Sequence, residues 1–153
     1  MKIRTVMATL VMAGSALVAL PAQSNAVVIS PSDTFEAQVI SSTNQQRALY
    51  KRVKLTPHAC VDKFAESHAR WMAINRTLRH QAMRPIMSFC GLRAVGENIA
   101  WGYQTGPLTV AAWMRSAGHK ANILNSGYRV IGVGAYQDKY GRWWVSQVFG
   151  TFR

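Results

Sequence analysis

Apolar positions recur at helical spacing in separate segments of the chain and alternate, strand-like, near its end. Residues 27–34 carry no such period and are expected to form an irregular leader, punctuated by Pro31. Ser32 or Asp33 can cap a first helix running to about Tyr50 on a partial stripe of Phe35, Val39, Ile40 and Leu49. Thr56-Pro57 is a stronger start signal, because threonine accepts from first-turn amides and proline suits the first helical position. Cys60, Phe64 and Trp71, widened by Val61, Ala65, Ala69 and Met72, predict a helix from there to about Ile74. His68 lies on that face and reads as a hydrogen-bonded core or boundary histidine; His58 reads as a solvated first-turn residue. Residues 76–95 sustain no period, and Pro85, Cys90-Gly91 and Gly96 mark a long loop of the kind that often carries function. Thr105-Gly106-Pro107 opens a short helix that Gly118 is expected to end.

Tyr128–Gln137 and Arg142–Phe149 then form two strands around the turn Asp138-Lys139-Tyr140-Gly141. Alternation sends Trp143, Val145 and Gln147 to one face and Trp144, Ser146 and Val148 to the other. Two bulky indoles on opposite faces require cover on both. Gly132 and Gly134 leave one side of the first strand bare, which suits a closely packed helix. The predicted class is α+β, an α-β-α sandwich with a central antiparallel sheet covered by helices on both faces.

The N-terminus changes the domain count. A basic start at Lys2 and Arg4, an apolar run from Val6 to Leu20 and the small residues Ser24-Asn25-Ala26 define a secretory signal peptide cut near Ala26. The run is short for a bilayer anchor, which needs about 20 apolar residues. The expected destination is the periplasm or the extracellular space. Removing residues 1–26 leaves 127 of the 153 residues, enough for one domain over 35–153. Lys2 and Arg4 leave with the signal, so the formal charge falls by two from +12 to +10. That excess favours anionic envelope surfaces, and the basic residues carry no nucleic-acid motif. Cys60 and Cys90 are an even pair in an oxidising compartment, which points to one disulfide; two buried free thiols are the alternative.

The candidate chemistry is His80, Glu97 and His119. Gly96 precedes the glutamate and Gly118 the second histidine, and glycines of this kind allow tight turns or close backbone approach. Two neutral imidazoles can hold Zn²⁺ or another divalent metal, with Glu97 taking a proton from bound water. The alternative is a hydrogen-bonded His/Glu/His network that holds the loops without metal. Asn98, Ser116, Asn122 and Gln147 are candidate supports of the cleft, although local turn bonding is the simpler reading of the two asparagines. Ser116 lacks the Gly-x-Ser-x-Gly setting of a nucleophile and reads better as a helix-end residue.

The ordered set of motifs resembles the CAP superfamily, the cysteine-rich secretory, antigen-five and pathogenesis-related proteins that share the SCP domain. The matching pieces are Asn44-x-x-Arg47, the helix leading to His80, Gly96-Glu97-Asn98-Ile99-Ala100, Gly118-His119-Lys120-Ala121-Asn122-Ile123-Leu124, Tyr128 through Gly134, and Trp144–Gly150. The resemblance is to the short bacterial branch. It implies an α-β-α sandwich with a central cleft of two histidines, here His80 and His119, and two acidic residues, of which Glu97 is one. The family's second glutamate follows a tryptophan as Trp-Tyr-x-Glu, whereas this chain has Trp113-Met114-Arg115-Ser116 and so lacks that carboxylate. The resemblance implies an exported module that binds lipid, sterol or another small apolar, envelope-associated ligand, modulated by a divalent metal. A metal-dependent, peptidase-like hydrolase using His80, His119 and Glu97 is the alternative, and a secreted effector or toxin a third.

Overall fold

The computed structural model describes residues 30–152. The expected signal peptide and its cleavage position lie outside them. Ser30 starts the first helix with a capping box: its Oγ accepts from the Asp33 N–H at 3.1 Å, and the Asp33 carboxylate accepts from the Ser30 N–H at 3.0 Å. Helix α1 therefore runs Pro31–Leu49, and residues 31–34 form its first turn rather than an irregular leader.

Thr56-Pro57 does not open a helix. It forms a short strand β1, parallel to a later strand, with the Thr56 N–H donating to Arg129 O and the His58 N–H to Ile131 O. Proline tolerates this place because it lacks only the donor that an edge strand would turn to solvent. Helix α2 follows as Ala59–Asn75. The expected loop of residues 76–95 contains helix α3, Met83–Cys90, and the start of strand β2, Leu92–Trp101. Pro85 sits in the first turn of α3, where a missing N–H breaks no helical bond. Helix α4 spans Gly106–Met114 and α5 spans Ala117–Leu124, so Gly118 lies inside a second helix instead of ending the first. Strands β3, Val130–Gln137, and β4, Trp143–Phe152, make the expected hairpin.

The sheet order is β1-β3-β4-β2, with β4 antiparallel to both β3 and β2 and β1 parallel to β3 at the edge. Helices α2 and α3 cover one face, and α1, α4 and α5 cover the other. Trp143, Val145 and Phe149 pack with Phe35, Val110 and Trp113 on the α1 side. Trp144 meets Met72 and Ile99, and Val148 meets Val61 and Ala65, on the α2 side. A Cβ at Gly132 or Gly134 would collide with the α2 backbone at Val61–Asp62 or at Ala65, so both glycines are what lets α2 lie flat on β3.

Three polar devices close the fold. Beyond β1 the open edge of β3 is stopped by carboxylates: Asp62 Oδ1 accepts from the Val133 N–H at 2.9 Å and Glu36 Oε1 from the Ala135 N–H at 2.8 Å. Arg47, fully buried, donates from Nε to Val53 O at 2.8 Å and from one terminal nitrogen to Ile123 O at 2.7 Å and Asn125 O at 2.9 Å. It thereby binds the α1–β1 connection to the carbonyl end of α5. A Cys60–Cys90 disulfide joins the start of α2 to the end of α3.

Candidate functional site

Glu97 stands in the middle of β2, not in a turn, on the face toward α2. Its side chain is 1% exposed. Such a burial requires hydrogen-bond partners, and the carboxylate accepts four. His80 Nδ1–H donates to Oε2 at 2.8 Å and the Gln81 N–H to the same oxygen at 3.3 Å. Gln81 Nε2 donates to Oε1 at 2.7 Å and the Ser146 hydroxyl at 2.8 Å. His68 Nε2 stands 3.9 Å from Oε1 and is committed to Arg79 O at 2.7 Å. A carbonyl only accepts, so His68 carries its proton on Nε2. His68 is thus the satisfied histidine expected, and it fixes the segment that presents His80. The His80 side chain is 58% exposed, and with Nδ1 held by Glu97 its Nε2 is the free nitrogen.

The opposite face of β2 carries a second network. Asn98 Nδ2 donates to Gln147 Oε1 at 3.1 Å and to His119 O at 3.2 Å. Asn122 Nδ2 donates to Asn98 Oδ1 and to Glu97 O, each at 3.0 Å. Gln147 Nε2 continues the chain to Thr43 Oγ1 at 2.8 Å. Asn98, Asn122 and Gln147 are therefore long-range supports that dock α5 and α1 on the sheet, not local turn formers. Gly96 contributes by absence: a Cβ there would meet the Tyr128 hydroxyl and sit 3.1 Å from Asn122 Oδ1.

Helix α5 places His119 beside Trp113, ring centroids 6.3 Å apart. Burial, and secondarily the charge of His80, hold the His119 pKa below the usual histidine value. The ring is consequently neutral near pH 7. Among the described residues it makes no hydrogen bond to Glu97 or His80. With Leu78, Ile99, Trp101, Tyr103 and Trp113 it borders a cavity of about 280 Å³. Ser116 stands at the same rim and takes the N-cap position of α5 without a side-chain cap bond. His80 borders a separate open depression with His68, Trp71 and Arg79.

The three candidates are thus not joined in one hydrogen-bonded triad, although the two imidazoles are near enough for the charge of His80 to act on His119. Glu97 and His80 form a pair, and His119 joins through the backbone of α5. Glu97, with every acceptor direction occupied, has no place for the proton of a metal-bound water without losing an existing partner. Among the described residues no three His, Cys, Asp or Glu side chains are arranged to hold a metal. The donor set falls short of the three protein ligands of a catalytic zinc site. It leaves two imidazoles, one oriented by a carboxylate as metal-binding histidines are. Sequence reasoning missed Gln81, Thr43 and the part played by Ser146. Only Ser146 had a signal, since strand alternation already placed it across the sheet face from the Gln147 side.

The fold and this cleft define an α-β-α sandwich whose edge strand carries a histidine-bearing polar hub. The profile of the cysteine-rich secretory protein family, CAP, matches residues 40–149. The chain belongs to that family. The protein YkwD of Bacillus subtilis is 31% identical, aligned over 84% of this chain and 52% of its own length. The chain thus spans about half of that relative. An extracellular SCP-domain protein of Bacillus anthracis superposes with TM-score 0.71 at 22% identity, covering 82% of this chain and 45% of that one. An outer surface protein of Borrelia burgdorferi gives 0.69 at 21%, covering 75% and 90%. No helix among the described residues is long and apolar enough to cross a membrane.

Proposed function

We propose that this CAP-domain protein is an exported binding module whose cleft receives a lipid or another small apolar, envelope-associated ligand. The carrying observation is the saturated Glu97: a carboxylate that already accepts four hydrogen bonds is a brace, not a reactive base. The apolar walls at His119 supply the complementary surface, and a cavity near 300 Å³ lies at the small end of ligand pockets. The disulfide and the extracellular or surface setting of the structural neighbours support export.

A divalent ion fits this reading as an exchangeable partner of His80 Nε2 and His119, and its charge would draw an anionic headgroup to the cleft. Calorimetric titration with Zn²⁺ tests that part. Wild type should give a measurable isotherm at pH 7.5 that weakens at pH 5.5, because protonated imidazole does not ligate. His80→Ala/His119→Ala should give none, and identical isotherms in both proteins would remove the metal. Uptake of fluorescent fatty acid or sterol tests the cleft, and wild-type protein that takes up neither refutes the ligand class. A metal-dependent peptidase would instead require activity that disappears in folded Glu97→Ala and His119→Ala proteins.

A further inference from the structure

We propose that the segment Leu49–Lys54, at the end of α1 and before β1, docks the protein on an anionic lipid bilayer. Three large apolar side chains stand out of the fold here: Leu49 is 74% exposed, Val53 66% and Tyr50 47%. Between them lie Lys51, Arg52 and Lys54, all exposed, and the Lys120 ammonium sits 4.9 Å from the Tyr50 ring. The six acidic residues are elsewhere. Asp33, Glu36, Asp62 and Glu66 gather around the β3 edge, Glu97 is buried, and Asp138 is paired with Arg142. The cations of the segment have no carboxylate among the described residues to neutralise them.

The segment is held, not loose. The Lys51 N–H donates to Ala48 O at 3.0 Å and the Arg52 N–H to Arg47 O at 2.7 Å, while buried Arg47 grips Val53 O. Lys51 takes a left-handed φ of 54°, an uncommon state for a residue with a side chain. A backbone fixed this firmly keeps the apolar side chains outward. Apolar groups alternating with lysine and arginine match the boundary between headgroups and acyl chains, where both kinds of side chain gain at once. A hydrated polyanion, glycan or nucleic acid, would reward only the cations, which is why the bilayer is the occupant chosen. The inference shares with the proposed function the encounter with an envelope, but it does not depend on what the cleft binds.

Co-sedimentation with vesicles of phosphatidylglycerol and phosphatidylcholine tests it on the purified protein, with urea melts to verify folding. Each cation near an anionic surface contributes about fivefold in affinity, so Lys51→Gln/Arg52→Gln should bind about 25-fold more weakly. Arg76→Gln/Lys139→Gln removes the same charge away from the segment and should lose no more than about threefold, given screening. Leu49→Ser/Val53→Ser, at unchanged charge, should lose about tenfold. Equal losses in the two glutamine pairs would mean that net charge alone acts, and would overturn the proposal. Full retention by the serine pair, or wild-type binding to single-stranded RNA as tight as to vesicles, would overturn it too. His80→Ala/His119→Ala should keep vesicle binding. If cleft uptake fails while docking persists, only the cleft reading falls.

Discussion

Glu36 offers a test in which the sign is as informative as the size. Its carboxylate is half-buried against β3 and accepts the Ala135 N–H, with Asp62, Glu66 and Asp33 nearby. Burial first, then repulsion from those three acids, raises its pKa from 4.5 to about 7, against the lowering effect of the Ala135 bond. Between those two values the folded protein holds a proton that the unfolded chain has released. Stability therefore falls as pH rises through that window, and below about 4.5 the penalty vanishes. At about 1.4 kcal/mol for each tenfold change in proton affinity, the rise from 4.5 to about 7 sets a ceiling near 3 kcal/mol. Partial solvent access reduces this, so about 1–2 kcal/mol is expected. Glu36→Gln keeps the oxygen that accepts from Ala135 and removes the charge. It should be more stable than wild type by that amount at pH 8 and indistinguishable near pH 4.5. Urea unfolding at pH 4.5, 6 and 8 reads the difference as a shift in midpoint at constant slope. A variant less stable at pH 8, or a gain independent of pH, would refute the electrostatic account of this edge.

Other consequences can be measured in the same way. Glu97→Ala strips four donors of their shared acceptor and should lower unfolding free energy by about 3 kcal/mol or more, whereas His80→Ala, at an exposed ring, should change it by under about 1 kcal/mol. Gly134→Ala forces a Cβ into the α2 backbone at Ala65 and should cost about 1–3 kcal/mol, visible as a lower Tm; an unchanged Tm would mean that α2 is free to lift. Arg47→Met removes three carbonyl contacts from a buried guanidinium and should destabilise by about 3 kcal/mol in urea unfolding, most of it through α5 and the α1–β1 connection. Cys60→Ser/Cys90→Ser opens a loop with a sequence separation of 30 and should lose about 2–4 kcal/mol by the same assay.

What could be read from the chain was whatever local periodicity controls. The β3–β4 hairpin, the two indole faces, the bare glycine side under α2 and the cysteine pair all follow from spacing and composition. The family resemblance located His80, Glu97 and His119, and the α-β-α layering agreed. Strand β2 was hidden because Glu97 and Asn98, in its middle, are polar at buried positions. Their partners, Gln81, Ser146, Asn122 and Gln147, lie far along the chain, and no window of ten residues contains that information. Helix α3 was hidden by Pro85, a breaker everywhere except in the first turn where it stands. Thr56-Pro57 carried a good capping signal that strand pairing with β3 overrode. The site was legible as a set of residues and illegible as a geometry. Only coordinates separate a carboxylate that orients one histidine from one shared by two.

Helix α1 carries its charges in an order that acts at a distance. Asp33 and Glu36 lie in its first two turns, while Arg47, Lys51 and Arg52 lie at its far end and just beyond. Nineteen residues at 1.5 Å each make the helix about 28 Å long, and Asp33 and Arg47, fourteen positions apart within it, stand about 21 Å from each other. This separation adds one component along α1 to the molecule's charge asymmetry, on top of its net positive charge, and Glu36 joins it only above about pH 7, where its carboxylate is ionised. Near a negatively charged surface that component would exert a torque that favours the Leu49–Lys54 end facing forward before any contact forms. The torque acts over about one Debye length, roughly 8 Å at physiological ionic strength. If the segment docks as proposed, salt would govern the fraction of productive collisions as well as the strength of attachment, and the association rate should fall with ionic strength even where the apolar contacts keep dissociation slow.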